Sequence, residues 1–359
     1  MTLALTHSVA LMGLEGHLVT VEVDIADGLP GYALLGLPDA ALSESRDRVR
    51  SAIVNCSEVW PNRKVTVSLS PAWLPKSGSS FDLAICIALL AAHETLPQEK
   101  IAEIVFMGEL SLDGRIRSVR GVLPALMAAY KAGIRTAVVP AANFEEAQLM
   151  QSMKIVPMEH LKQVLRWLRT GEREVMQQID LQWEQTDTRL DFADVAGQSA
   201  ARLAAEIAAI GGHHIMLIGP PGAGKTMIAE RIPTIMPALS IAQALEVTAV
   251  HSIAGTLTQR SPLSLLAPIV SPHHTTTRIA MVGGGSHAIK PGACSLAHYG
   301  VLFIDEAPEC GPGVLDSLRQ PLESGTVTIA RSIGNLTFPA QFLLAVSYTH
   351  LTLPTNREV

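Results

Sequence analysis

Apolar and polar residues alternate along residues 18–25 and 64–69, and a short apolar run follows at 104–107. A period of two puts one side of the chain in a core and the other outside, so these stretches predict strands. Between them, residues 43–55, 81–93 and 123–131 read as helices. Gly133 breaks the last helix, and residues 136–139 predict a further strand stopped by Pro140. Residues 1–170 therefore read as one α/β domain. The pattern then changes. Residues 171–191 carry six acids against Arg173 and Arg189, a net charge of -4 in one short stretch, and predict a solvated linker. A second domain begins near Phe192. It opens with an Ala-rich helix at 199–210 and a short apolar strand at 214–218. A glycine-rich loop, a helix at 225–231 and a buried strand at 300–304 follow. Residues 326–339 alternate again, Val327 and Ile329 against Leu336 and Phe338, around a Ser-Ile-Gly-Asn turn. This predicts a β-hairpin. There are no internal repeats.

Composition narrows the class. A chain of 359 residues with 48% hydrophobic and 17% charged residues has material for two or three packed cores and is not a disordered polymer. With a net charge of -6, any surface for nucleic acid must be a local basic patch. Cys56, Cys86, Cys294 and Cys310 are far apart with no CxxC pair, which points to free thiols in a reducing compartment. The longest apolar run, residues 83–92, is about half of the roughly 20 residues that cross a bilayer. No targeting segment is apparent, so the expectation is a cytoplasmic protein with no membrane partner.

The chemistry lies in two motifs. Gly219-Pro220-Pro221-Gly222-Ala223-Gly224-Lys225-Thr226 fits the phosphate-binding loop, with an apolar strand before it and a helix after it. Glycines let backbone N–H groups face a phosphate, and the helix N-terminus adds a positive dipole. Lys225 would reach the β and γ phosphates of ATP, and the Thr226 hydroxyl would ligate Mg²⁺. About 80 residues on, the buried strand before Asp305 and Glu306 ends in two acids. Asp305 would hold Mg²⁺ through its water shell, and Glu306 would polarise the attacking water as general base.

With both motifs in place, the chain resembles an AAA+ ATPase. The segment DVAGQ (194–198) is similar to the stretch that contacts adenine in that superfamily, which implies that Val195, Gly197 and Gln198 lie near the base. Residues 271–309, 318–331 and 338–345 resemble the magnesium-chelatase-like AAA+ ATPases, and within them the YifB/ComM branch. The resemblance implies a P-loop AAA+ parallel-sheet core over 192–345. An insertion in helix 2 near residues 279–291 and a hairpin before the sensor strand belong to it. In a ring-shaped motor these elements face the central pore, so Arg278, Lys290 and Arg331 become candidate DNA contacts, with ordinary surface charge as the alternative.

Residues 28–53, 74–85 and 108–126 resemble the same family, whose N-terminal domain is similar to the proteolytic domain of Lon, a ribosomal-S5-like α/β fold. That invites a protease reading. Lon uses a Ser–Lys dyad. Aligned with it, Ser80 takes the nucleophile's position, but Leu123 takes the lysine's and cannot accept a proton. A scaffold or interaction domain is therefore expected. The pairs His213-His214 and His273-His274 invite a metal reading. Adjacent residues on a strand point to opposite faces, so packing roles are expected.

The resemblance stops after Ala345. Where the family continues to a γ-phosphate-sensing asparagine, residues 346–359 resemble translated sequencing-adapter read-through and form a non-family tail. An AAA+ module also needs a helical lid, a sensor arginine and an arginine finger, and the expectation is a chain lacking its lid with weak or no ATPase activity. For the family, the expected function is an ATP-dependent DNA helicase or branch-migration motor in DNA uptake and recombination, working as a homo-hexamer. The alternatives are a metal-chelatase-type ATPase, a Lon-like protease and an inert binding module.

Overall fold

The computed structural model describes residues 3–172, 190–257, 263–285, 289–331 and 334–349. The acidic linker, apart from its ends, the middle of the helix-2 insertion, Ser332 and Ile333 of the hairpin turn, and the tail from residue 350 on lie outside them. The chain divides into two compact units, residues 1–181 with 252–262, and residues 182–251 with 263–359.

The first unit is a mixed seven-stranded sheet. Its strands are β1 (Leu3–Met12), β2 (Glu15–Ala26), β3 (Gly31–Leu35), β4 (Lys64–Ser70), β5 (Ile104–Phe106), β8 (Thr136–Pro140) and β9 (Lys154–Met158), and the small pair β6 (Glu109–Leu110) and β7 (Ile116–Arg117) lies outside the sheet. The sheet order is β3-β4-β2-β1-β5-β8-β9. β2 runs antiparallel to both β1 and β4, while β3–β4, β1–β5, β5–β8 and β8–β9 are parallel.

Helices α1 (Ala40–Ser43), α2 (Ser45–Asn55), α3 (Asp82–Ala92), α4 (Gln98–Ile101), α5 (Val122–Lys131), α6 (Phe144–Ala147) and α7 (Leu161–Thr170) fill the connections. On one face α2, α3 and α7 pack against Val19, Val21, Val65 and Val67. On the other, Val122, Ala125, Leu126 and Ala129 of α5 pack against Val9 and Val105. All eleven residues of α3 are buried, which explains an apolar run with no polar stripe. The helix expected at 43–55 is α2, preceded by the short α1, which ends at Ser43. β1, β3, β9 and α7 were not among the expected elements.

The second unit holds a four-stranded parallel sheet. Its elements in order are α8 (Ser199–Gly211), β10 (Ile215–Gly219), α9 (Lys225–Arg231), α10 (Ile241–Ala254), β11 (Ile269–Val270), α11 (Arg278–Val282), β12 (Gly283–Gly284), β13 (Lys290–Pro291), α12 (Ala293–Leu296), β14 (Val301–Ile304), α13 (Pro312–Asp316), α14 (Arg319–Ser324), β15 (Thr326–Arg331), β16 (Gly334–Pro339) and β17 (Leu343–Thr349). The sheet order is β10-β17-β14-β11. All four residues of β14 are buried, as in a parallel strand covered on both faces. Val301 and Phe303 face Ala205, Ala208 and Ala209 of α8, and Leu302 and Ile304 face Met281, Cys294 and Val314 of the opposite layer.

The hairpin β15–β16 pairs Val327 with Phe338 and Ile329 with Leu336, the register expected from the alternation. β17 continues through residue 349, so the 345/346 boundary read from the sequence falls inside a strand.

Candidate nucleotide site

Parallel sheets gather ligands at the carboxyl ends of their strands, where loops diverge and leave a crevice. Here three such ends meet. Gly219 ends β10, Thr349 ends β17 beside it in register, and Ile304 ends β14 just before Asp305 and Glu306. A cavity of about 610 Å³ opens there, lined by loop residues 221–226 with Met227, Asp305, Glu306, Glu309 and Thr349.

The loop has the local geometry that phosphate binding needs. Gly222 and Gly224 take positive φ angles of 76° and 80°, and a Cβ on either would meet nothing within 4 Å. The space beside their backbone is open, and only glycine adopts these angles without strain. Lys225 Nζ donates to the carbonyls of Gly219 at 3.0 Å and Pro220 at 3.2 Å and to the Thr349 hydroxyl at 2.8 Å. The ammonium is thus held over the loop by neutral acceptors, with no carboxylate among these partners. Across the cavity, the Thr226 hydroxyl lies 3.4 and 3.5 Å from the two carboxylate oxygens of Asp305. A hydroxyl beside a carboxylate is a hard-oxygen donor set of the kind Mg²⁺ takes, so these residues fit the ion.

The two acids are oriented by β17. The buried Ser347 hydroxyl donates to Asp305 at 2.5 Å and accepts the Glu306 backbone N–H at 2.8 Å. The Thr349 N–H donates to Glu306 at 2.9 Å, and its hydroxyl donates to the same carboxylate. Glu306 itself sits in the left-handed region at φ 50°, an uncommon conformation for glutamate that these contacts hold. Ser347 and Thr349, assigned to the tail in the sequence reading, are therefore part of the site. The readable signal was strand alternation. Leu343, Ala345 and Ser347 share one buried face, and Thr349 continues the period. Glu309, also on the cavity wall, was missed as well.

The segment expected at the base is brought to the loop. Gly197 and Gln198 are both left-handed, at φ 69° and 51°, and Gln198 Nε2 donates to the Ala223 carbonyl at 3.3 Å. Val195 is fully buried in the core behind it. Arg278 and Lys290 are exposed, at the start of α11 and on β13. Arg331 ends β15, and its side chain lies outside the described residues.

Comparison with known proteins agrees with this geometry. The family described as magnesium chelatase, subunit ChlI, matches residues 191–351, and a second one, subunit ChlI of Mg-chelatase, matches residues 21–143. An uncharacterised protein of Mycobacterium tuberculosis is 49% identical over 347 residues, 97% of this chain and 69% of the relative. The uncharacterised protein YifB of Escherichia coli is 41% identical over 347 residues, 97% of this chain and 68% of its own. The competence protein ComM of Haemophilus influenzae is 39% identical over 356 residues, again 97% and 68%. The chain belongs to the YifB/ComM family of magnesium-chelatase-like AAA+ proteins. Its fold is α/β, with a Lon-like first unit and an AAA+ core. Lon protease 1 of Myxococcus xanthus is 28% identical over 165 residues, 43% of this chain and 20% of that protein.

In this family member the Lon-like unit holds a polar network but no Ser–Lys dyad at the aligned positions. Leu123 is fully buried on α5. Ser80 is half-buried and its carbonyl accepts the Gly108 N–H at 3.0 Å, while the hydroxyl of the neighbouring Ser79 donates to the Glu109 carboxylate. Asp82 is fully buried and takes two hydrogen bonds from Arg48, at 2.7 and 3.0 Å. Burial outweighs that attraction and pushes its pKa up to about 6. Lys76, also buried, donates to the carbonyls of Leu69 and Pro71, and burial lowers its pKa. His214 Nδ1 accepts the Leu344 N–H at 3.1 Å just before β10, rather than on a strand. The rings of His273 and His274 stack at 3.9 Å instead of pointing apart. Among the described residues no group of His, Cys, Asp and Glu is arranged to hold a metal ion, and no helix is long and apolar enough to cross a membrane.

Proposed function

We propose that this chain is the ATP-binding and ATP-hydrolysing part of a motor that works on DNA. The observation that carries the reading is the meeting of Lys225 and Thr226 with Asp305 and Glu306 around one cavity at the carboxyl ends of β10, β17 and β14. Mg²⁺ bound with ATP would neutralise charge that develops on the transferred phosphoryl oxygens. Thr226 and Asp305 are the residues that would hold it. Lys225 would exchange its carbonyl contacts for phosphate oxygens. The N–H groups of 222–226 would bind the same phosphates through the open backbone of the two glycines. Glu306, aimed by Thr349 and Ser347, would take the proton of the attacking water. Gly197 and Gln198 would border the base.

A relative is named a competence protein, and the exposed Arg278 and Lys290 lie on the insertion, with Arg331 at the tip of the adjoining hairpin. Positive side chains on such projections suit a phosphate backbone. The reading includes a cytoplasmic homo-hexamer, helicase or branch-migration activity, and a role in DNA uptake and recombination. A Lon-like protease is disfavoured by Leu123.

The test is ATP hydrolysis by the purified protein with and without single-stranded and branched DNA, alongside Lys225→Ala. Binding of ATP that is weakened in the variant is expected, with hydrolysis by the unsubstituted protein raised by DNA. No nucleotide binding would overturn the ATPase reading, and no DNA binding at low salt would overturn the motor reading alone.

A further inference from the structure

The cavity that holds Lys225 and the two acids offers groups for phosphates and a cation and little for a base. A second cavity of about 450 Å³ lies beside it, lined by Gly197, Gln198, Ser199, Arg202, Leu203 and Glu206. The two are linked through one hydrogen bond, since Gln198 of the second cavity donates to Ala223 of the first. The second cavity therefore begins where the far end of a nucleotide must go once its phosphates occupy the loop.

Its chemistry is that of a base platform. Arg202 is on the first turns of α8, and its guanidinium carbon lies 5.9 Å from the centroid of the Phe192 ring. Phe192 is only 3% exposed and fixed in the core, so the guanidinium lies within cation–π range of a rigid ring. Leu203, 58% exposed, adds an apolar wall where a solvated helix would ordinarily be polar. A planar cation with one face on an aromatic ring can stack its other face on a second π-system, and arginine does so where lysine cannot.

We propose that Arg202 is the base-stacking residue of this site, holding a purine against its guanidinium, with Phe192 behind it and Leu203 on the apolar rim of the cavity. The proposal rests on the ATP-binding reading above and adds a source of selectivity to it. Purines are selected over pyrimidines because they offer the larger π-face. Arg202 does not touch the phosphates.

Competition binding with a fluorescent ATP analogue tests this, using ATP, CTP and base-free tripolyphosphate as competitors on the full chain. In the unsubstituted protein ATP binds more tightly than CTP, and CTP more tightly than tripolyphosphate. Arg202→Ala weakens ATP by about tenfold, narrows the gap between ATP and CTP, and leaves tripolyphosphate unchanged. Arg202→Lys behaves like the alanine variant, because charge without a plane does not stack. Equal loss for ATP and tripolyphosphate, or full rescue by lysine, would overturn the proposal, since Arg202 would then act through its charge. Variants with the ATP affinity of the unsubstituted protein would also overturn it and leave the ATP-binding reading standing. An unsubstituted protein that binds neither ATP nor tripolyphosphate would sink that reading first.

Discussion

The ammonium of Lys225 lies 2.8 Å from the hydroxyl of Thr349, across 124 positions of sequence. The same threonine holds Glu306 through both its N–H and its hydroxyl. One residue at the end of β17 thus joins the lysine of the glycine-rich loop to the Glu306 carboxylate.

If Thr349 aims Glu306 rather than binding nucleotide, Thr349→Val should separate the two. Valine keeps the shape and removes the hydroxyl. The expected result is hydrolysis slowed by about tenfold or more with ATP affinity nearly unchanged. Turnover and binding, measured separately, check this. Loss of affinity at constant turnover would place Thr349 in binding instead.

Lys225→Ala removes a cation that the folded protein satisfies only with neutral acceptors. ATP affinity should fall by roughly 10- to 100-fold, the range for a hydrogen-bonded charge. Thermal stability should barely change, because Lys225 is only half-buried. Calorimetric titration beside a melting curve distinguishes this from unfolding.

Gly300, just before β14, is a packing position. A Cβ there would sit 2.0 Å from the Pro268 carbonyl, the same carbonyl that accepts the Val301 N–H at 2.8 Å. Gly300→Ala must push β14 away from β11. A loss of about 2–4 kcal/mol is expected, seen as a lower melting temperature that saturating ATP partly restores.

Asp82 gives the first unit a pH signature. Its folded pKa of about 6 lies above the ordinary 3.8, so the folded state keeps a proton that the unfolded chain releases. That contribution is fully present below pH 3.8 and is lost as pH rises through about 6. Urea unfolding across this window should show the stability of the unsubstituted protein falling relative to Asp82→Asn. A flat difference would mean that Arg48 compensates the buried charge completely.

Local chemistry was legible in the sequence wherever it depended on neighbours along the chain. The glycines of 219–224 declared a loop with left-handed positions, and the run before Asp305 declared a strand buried on both faces. The alternation in 326–339 set the hairpin register. Each is a short-range pattern with a period or a steric requirement. His273 and His274, expected near the insertion, lie just before α11 with their rings stacked on each other. β1, β3 and β9 escaped notice. The buried face of β1 carries Thr6 and Ser8, which break its apolar alternation, and β3 and β9 have only five residues each, so pairing with β2, β4 and β8 makes them strands.

The sequence by itself determined the glycine-rich loop with Lys225 and Thr226 and the buried strand that ends at Asp305 and Glu306, because those motifs carry their own backbone geometry. Only the tertiary structure decided that the last strand, β17, inserts between β10 and β14 and brings Ser347 and Thr349 to Asp305, Glu306 and Lys225. Parallel neighbours are joined by long crossovers, so strand order depends on which faces bury one another. No spacing within residues 343–349 records that choice.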